Sequence, residues 1–366
     1  MCGNMIYYKD KRYGFVEFFN ESNGTLVRSN VLLNGVETDK VPTMRSFPEL
    51  IDVGIMGTCS ANKHGMCLAS GVDCYQNAIT MRRPNMTFEN FLKILEQCAG
   101  RTFQFALGGA GDPNKHEKFE SILRAAADYK VIPNLTTSGF EITSEEISLI
   151  SKFCGAVAVS YYSRLDEHND ETNPMTVTAI KRLIAAGCTT NVHYVLSKDS
   201  IKEAIRRLHS GFFPEGINAV IFLLYKPVGL ASKSKTLSID DPEYLEFLQL
   251  INNGEFPFKI GLDSCQAPAI NTFCPSITSD AIEFCDAARF SMYIDCDMKA
   301  FPCSFGHDHL QYGVDLNKWS IKEAWYSSQF ESFRQAQSSH CKNCSYNSMG
   351  CRTCALELGL NMCRGC

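Results

Sequence analysis

The sequence lacks any apolar run of the ~18 residues that a bilayer-spanning helix requires, so no membrane span is expected. It also lacks the charged start and apolar core of a secretory signal: residues 1–10 are polar and of mixed charge, and the chain is expected to be cytoplasmic. Clustered basic charge is scarce. There are 35 Lys and Arg against 40 Asp and Glu, for a formal net charge of −5. The short basic spots at Arg82 and Arg83 and at 233–235 read as solvated surface, which leaves no electrostatic footprint for nucleic acid. Internal repeats and low-complexity linkers are absent as well. What remains is a globular chain of 366 residues, 45% hydrophobic and 20% charged, long enough for two domains or one large domain with an appendage.

Cysteine, by contrast, is in excess. There are eighteen, eleven of them after Ile260. A secreted chain would use them in disulfides. Without a signal peptide, metal or cluster ligation is the better reading. The pairs Cys341-x-x-Cys344, Cys351-x-x-Cys354 and Cys363-x-x-Cys366 lie too close in sequence to staple distant segments, and they suit a shared metal.

Residues 1–47 read as a small β extension. Strand-like alternation at 13–19, turn chemistry at 20–24 and a return at 25–31 predict a hairpin, with a second turn at Asn34-Gly35. From Leu50 short apolar runs alternate with helical patterns. Strands are predicted at 50–56, 103–107, 132–136, 156–160, 190–195 and 217–225. Helices are predicted at 87–97, 115–129, 144–153, 174–186 and 200–209. Thr87 and Ser144 are N-cap residue types, Pro174 suits a first turn, and Gly187 suits a C-terminal stop. Six strands separated by helices predict a parallel sheet with right-handed crossovers, doubly wound or closed toward a barrel. Either way, chemistry belongs at the C-terminal ends of the strands. A further helix at 241–252 and a short strand at 258–261 follow. The pattern then gives way to cysteines, aromatics and turns, so a domain change is expected near Leu262, dividing the chain into 1–47, 48–262 and 263–366.

The loop after the first strand carries Gly57-Thr58-Cys59, then Cys67, then Cys74-Tyr75. Soft thiolates select zinc, copper(I) or iron–sulfur clusters. Three ligands leave one metal position open, whereas a structural zinc fills all four. His64 could be the fourth ligand of a zinc loop, and three unrelated thiols are the remaining alternative. The glycines Gly57, Gly65 and Gly71 punctuate a loop too long for a mere connector.

Three cysteines after the first strand of a parallel α/β chain, the last followed by Tyr75, resemble the radical S-adenosylmethionine superfamily. The family spacing is CxxxCxxC; here the loop is expanded to Cys59-x7-Cys67-x6-Cys74. Further motifs follow in order. Leu107-Gly108-Gly109-Ala110-Gly111-Asp112-Pro113 resembles the family's GGE-type motif, with Asp112-Pro113 in place of Glu-Pro. Thr136-Thr137-Ser138-Gly139 resembles its T-N-G turn, with Ser138 for Asn. The fourth predicted strand ends at Ser160, the fifth carries Asn191 and His193 on one face, and the sixth ends in Lys226-Pro227-Val228-Gly229. A core histidine with satisfied hydrogen bonds is the alternative for His193. The resemblance implies a partial (β/α)6 TIM-like barrel. It implies a [4Fe–4S] cluster on Cys59, Cys67 and Cys74, whose fourth iron chelates S-adenosylmethionine. Tyr75, Gly108, Gly109, Asp112, Ser138, Ser160, Asn191 and His193 would then line the cofactor.

The tail resembles the SPASM extension of that superfamily: Cys265, Cys274, Cys285, Cys296 and Cys303, then Cys341-x2-Cys344-x6-Cys351-x2-Cys354, then Cys363-x2-Cys366. A hairpin of 290–294 and 299–301 would lie between Cys285 and Cys303. The resemblance implies two auxiliary [4Fe–4S] clusters. Cys285, Cys303 and Cys354 with Cys265 or Cys274 would hold one; Cys341, Cys344 and Cys351 with Cys366 or Cys363 would hold the other. Cys296 is a ligand, a substrate-facing thiol or buried, and Cys2, Cys98, Cys154 and Cys188 read as small core residues. Paired CxxC elements suit two zinc sites equally well.

The resemblance implies a peptide or protein substrate and an electron donor such as flavodoxin or ferredoxin. The leading expectation is a maturase of a ribosomally made peptide that forms a crosslink or oxidises a side chain. A sulfatase-maturase-like oxidase and a non-catalytic zinc or electron-transfer protein are the alternatives. Tyr161, Tyr162, Tyr225 and Asp263 lie near predicted strand ends, and none is singled out as a general base.

Overall fold

Alternating strands and helices form one continuous sheet wrapped by helices in the computed structural model, which describes residues 5–59, 66–80, 82–339, 341, 344–356, 359–360 and 362–363. His64, Cys2 and Cys366 lie outside the described residues. Five short strands come first: β1 Met5–Asp10, β2 Phe15–Asn20, β3 Leu26–Arg28, β4 Leu32–Leu33 and β5 Val36–Glu37. The core unit follows as β6 Leu50–Met56, α1 Met66–Ala69, α2 Phe88–Cys98, β7 Gln104–Gly109, α3 Phe119–Asp128, β8 Ile132–Thr137, α4 Ser144–Phe153 and β9 Val157–Ser160. It continues through α5 Pro174–Ala185, β10 Thr190–Leu196, α6 Ile201–Ser210, β11 Ala219–Leu224, α7 Pro242–Asn253 and β12 Lys259–Leu262. The remainder is α8 Ala267–Phe273, β13 Ser291–Ile294, β14 Lys299–Phe301, β15 Val314–Asp315, α9 Ile321–Trp325 and α10 Ser328–Ser339.

Strands β6 to β12 lie side by side in chain order and pair in parallel. A doubly wound sheet reverses its order at a switch point; this one does not, so it curls one way as a partial barrel. The sheet continues past the expected domain change. β13 pairs in parallel with β6, Tyr293 opposite Asp52, and β14 and β15 extend it antiparallel.

Alternation along the strands sorts their side chains between two faces. On β10, Thr190, Val192, Tyr194 and Leu196 are buried, and all but Thr190 join the hydrophobic core cluster. Asn191, His193 and Val195 point to the lumen and stay partly open. The core therefore lies between sheet and helices, and the lumen is left for chemistry. Each large core side chain, such as Phe91, Phe222 or Phe247, contributes on the order of 1.5–3 kcal/mol by burial.

Two details correct the sequence reading. The cap of α4 is Thr143, one residue before the expected Ser144. Its hydroxyl accepts from Glu146 N at 3.1 Å while the Glu146 carboxylate accepts from Thr143 N at 2.8 Å, a reciprocal capping box. The N-terminal unit has a strand, β1, ahead of the expected hairpin and antiparallel to β2. The run Lys9-Asp10-Lys11-Arg12 hides it in the sequence. In the fold Asp10 is the turn-maker: its carboxylate accepts from Arg12 N at 2.9 Å and Tyr13 N at 3.0 Å.

Buried ionic contacts fix this N-terminal sheet to the barrel. Arg45, fully buried, donates to Glu17 at 2.6 Å, to Phe47 O at 2.8 Å and to Arg101 O at 2.5 Å. The buried Trp325 indole donates to Arg45 O at 2.9 Å, which ties α9 to the same point.

Candidate functional site

At the C-terminal mouth of the barrel, β6 runs into Gly57-Thr58-Cys59. Backbone crowds this loop so closely that only glycine fits around it. A Cβ on Gly57 would lie 2.2 Å from Pro84 O, and one on Gly111 would lie 2.2 Å from Thr58 O and 3.0 Å from Cys59 Cα. Gly229, at φ +65°, would meet Tyr75 O at 2.4 Å and Cys74 O at 2.8 Å. Three strand-end loops, those after β6, β7 and β11, thus converge by main chain on the cysteine loop.

Polar braces hold the far part of that loop. Arg164 donates to Ser70 O at 2.6 Å and to the Tyr194 hydroxyl at 2.9 Å. Asp73, next to Cys74, accepts from the Tyr225 hydroxyl and from Lys235 at 3.0 Å. Leu230 N donates to Cys74 O at 3.1 Å. Cys67 lies within electrostatic reach of Cys74. Burial first, then the Cys74 charge, pushes the Cys67 thiol up.

Around this mouth lie most of the residues named from sequence. Tyr75 packs on Phe305 with ring centres 4.9 Å apart. Gly108 faces open space, with no atom within 4 Å of a Cβ built there, whereas Gly109 at φ +117° is pressed against Met56. Asp112 turns both carboxylate oxygens to Ser138, accepting from its N at 2.7 Å and its hydroxyl at 2.5 Å; the Asp thereby locks the turn after β8. Burial pushes the Asp112 carboxyl up, opposed by those Ser138 bonds. Ser160 pairs across with His193. Tyr162 sits among Cys67, Asp112, Cys74 and Ser160, and burial raises its phenol. Asn191 lies lower, at the N-terminal end of β10, where its side-chain oxygen accepts from Asn218 at 2.8 Å. With Gln104, Asn134 and His193 it lines a cavity of about 330 Å³ in the lower lumen, whose floor is the turn carrying Glu21, Asn23 and Gly24. Burial lowers His193 to about 4, with Asp263 opposing, so its ring is neutral near pH 7.

The later thiols fall into two groups. Cys265 interacts with Cys285 and Cys303, and both of those interact with Cys354. Cys351 interacts with Cys341, Cys344 and Cys363. Burial leads in raising Cys265, Cys285, Cys303 and Cys351, with Cys285 and Cys351 each pushed up to about 12. A bound cation reverses that preference, since thiolate ligands are deprotonated on a metal. All-cysteine donor sets suit iron–sulfur chemistry or zinc. Among the described residues no three His, Cys, Asp or Glu side chains converge as ligands of one metal ion. In a cubane the four thiolates sit on four separate irons, so looser groups of this kind fit one.

Cys274 lies apart at the end of α8, its thiol against Leu248 O at 3.4 Å and pushed up to about 11 by burial. Cys296 is buried at the β13–β14 turn beside Arg83. Cys98 is fully buried, and Cys154 and Cys188 neighbour one another.

Sequence reasoning missed Asp52, although a lone carboxylate in the apolar run Leu50–Met56 was a visible signal. Asp52 faces the lumen near Tyr75, and its carboxyl is pushed up from 3.8 to about 7, by burial and then by Asp286. Folding thus tightens its hold on the proton. The resulting stability is full below the unfolded value and is lost as pH rises toward about 7. Asp52→Asn is expected to remove this component. The stability of the native chain relative to the variant should fall by more than about 1 kcal/mol between about pH 4 and about pH 8, read from urea midpoints. A constant difference would contradict the placement.

Comparison with known proteins agrees with this geometry. Residues 285–345 match the SPASM family, an iron–sulfur cluster-binding domain. No curated protein sequence matches the chain. Among solved structures, SuiB of Streptococcus suis bound to S-adenosylmethionine superposes with a TM-score of 0.70 at 15% identity, over 94% of this chain and 92% of that one. SuiB bound to its precursor peptide SuiA gives 0.68 at 14% identity, over 90% and 89%. anSMEcpe with bound AdoMet and the Cp18Cys peptide gives 0.58 at 14% identity, over 84% and 89%. In fold the chain is like SuiB and anSMEcpe, and its residues 285–345 match the SPASM iron–sulfur cluster-binding domain.

Proposed function

We propose that this chain is a radical S-adenosylmethionine enzyme that modifies a peptide. The observation that carries the proposal is the adjacency of two thiol groups. The mouth with Cys67 and Cys74 backs, through the packed rings of Tyr75 and Phe305, onto the group of Cys265, Cys285, Cys303 and Cys354. In this reading Cys59, Cys67 and Cys74 hold the first [4Fe–4S] cluster. Cys265, Cys285, Cys303 and Cys354 hold one auxiliary cluster, and Cys341, Cys344 and Cys351 with Cys363 or Cys366 hold the other. The barrel of 48–262 and the cysteine-rich segment 263–366 are its two working parts.

A reduced cluster held by Cys59, Cys67 and Cys74, with S-adenosylmethionine bound, would supply radical chemistry able to remove hydrogen from an unactivated carbon. The protein's own part is position and exclusion. Tyr75 and Tyr162 wall the mouth, Gly108 lets the cofactor approach main chain, and Asp112 fixes the Ser138 turn through its two hydrogen bonds. The turn of Glu21, Asn23 and Gly24 borders the lower lumen. A flavodoxin or ferredoxin serves as electron donor.

Two features favour a peptide. SuiB, of the same fold, has been seen with its precursor peptide. The N-terminal sheet also carries an exposed row, Tyr7 opposite Phe18 opposite Val27, on a three-stranded sheet to which an extended leader can add a strand. A second reading, oxidation of a Cys or Ser side chain in a protein, is favoured by the likeness to anSMEcpe with its bound Cp18Cys peptide.

The test is incubation of the reduced enzyme and S-adenosylmethionine with short peptides encoded beside its gene, read by mass spectrometry. Loss of two hydrogens in a crosslink is the expected result. An aldehyde formed from Cys or Ser selects the second reading. Unmodified peptides of both kinds, alongside active cofactor cleavage, would overturn the peptide assignment.

A further inference from the structure

One largely buried ion pair stands between the lumen and the Cys265–Cys285–Cys303–Cys354 group. Lys226, 6% exposed, follows β11. Its ammonium donates to Leu224 O at 3.1 Å and to the Asp263 carboxylate, and lies 4.5 Å from the centre of the Phe305 ring. Asp263 is fixed in turn: it accepts from Leu224 N at 3.1 Å and from the side-chain amide of the fully buried Gln266 at 3.1 Å. His193 faces Asp263 from the lumen side.

Chain geometry sets this pair against the thiols. Asp263 and Cys265 share one tight turn, closed by Gln266 N to Asp263 O at 2.9 Å. Cys303 begins the turn that carries Phe305, over which the ammonium lies. The Lys226 charge is felt at both Cys265 and Cys303.

Burying such a pair is a poor source of stability, because desolvation offsets the attraction. Its placement suits an electrostatic role better. The potential of an iron–sulfur cluster follows the net charge, the hydrogen bonding and the solvent exposure around it. A cation held beside a cluster favours the reduced, more negative state, and an anion disfavours it.

We infer that Lys226 and Asp263 are positioning residues that set the potential of the cluster on Cys265, Cys285, Cys303 and Cys354, the ammonium raising it and the carboxylate holding it down. This rests on the proposed ligation of that cluster.

The test is a potentiometric titration of the full chain, reconstituted without oxygen and followed by electron paramagnetic resonance. Cys303→Ala identifies the signal. If the native chain shows no signal that this variant removes, the ligation itself fails. With the signal identified, Lys226→Met is expected to lower its potential and Asp263→Asn to raise it. Each should change the reduction equilibrium tenfold or more, about 59 mV for a one-electron couple. Lys226→Arg keeps the native value, and the other clusters move less. Shifts of the same sign in Lys226→Met and Asp263→Asn, or no shift in either, overturn the inference. So does loss of this cluster's iron in both variants with Lys226→Arg intact, which would make the pair a structural clamp.

Discussion

Gly111→Ala is expected to strip the first cluster from the protein while leaving the auxiliary clusters in place. The added Cβ would come 2.2 Å from Thr58 O and 3.0 Å from Cys59 Cα. Both are main-chain atoms, so no side-chain rotation relieves the clash. Either the β7 loop or the Cys59 segment must move, and Ala110 N already pins the former to Met56 O at 2.8 Å. Cys59, the proposed ligand, is therefore displaced from Cys67 and Cys74, and the chain should lose roughly a third of its cluster iron. Gly108→Ala is the informative contrast. A Cβ there meets nothing within 4 Å and projects into space. That variant should keep its iron yet bind S-adenosylmethionine more weakly, because the methyl occupies the room the cofactor needs. Iron content and equilibrium binding of S-adenosylmethionine separate the two outcomes. Full iron in Gly111→Ala would contradict the site's assembly around these glycines.

How much of this was legible depends on whether the signal is local. The strands from Leu50 onward alternate with helices whose caps and periodicity lie within a few residues of each other, so the parallel sheet could be read directly. The expected helix at 87–97 begins with its Thr87 cap, which accepts from Asn90 N at 3.2 Å. β1 could not be read, because charged residues at its end obscure the alternation and the Asp10 turn reveals itself only in hydrogen bonds. The pairing of β13 with β6 joins residues far apart in sequence, and no periodicity reports it.

The cysteines show the same limit. Spacing left Cys274 open as an alternative to Cys265. Cys265 leaves the short helical turn beside Asp263 toward Cys303, whereas Cys274 ends α8 against Leu248 O. The Lys226–Asp263 pair is a contact between consecutive strand ends, and its proximity to Cys303 arises only because Phe305 folds back over the barrel.

The central claim is that Cys59, Cys67 and Cys74 hold a cluster that cleaves S-adenosylmethionine. Replacing all three with alanine is the substitution with the largest expected effect. The geometry permits no substitute: the other described thiols lie in the two later groups, are buried singly as Cys98, Cys274 and Cys296, or form the neighbouring pair Cys154 and Cys188. Activity should fall to background while the auxiliary iron remains, because the auxiliary thiols belong to a different part of the fold, within and beyond the segment that matches the SPASM domain. The direct measurement uses chain purified without oxygen, reconstituted with iron and sulfide, reduced with dithionite and given S-adenosylmethionine, with 5′-deoxyadenosine read by mass spectrometry. The native chain is expected to form it and the triple variant is not. A native chain that takes up zinc in place of iron and forms no product would contradict the account, as would a triple variant that forms as much product as the native chain.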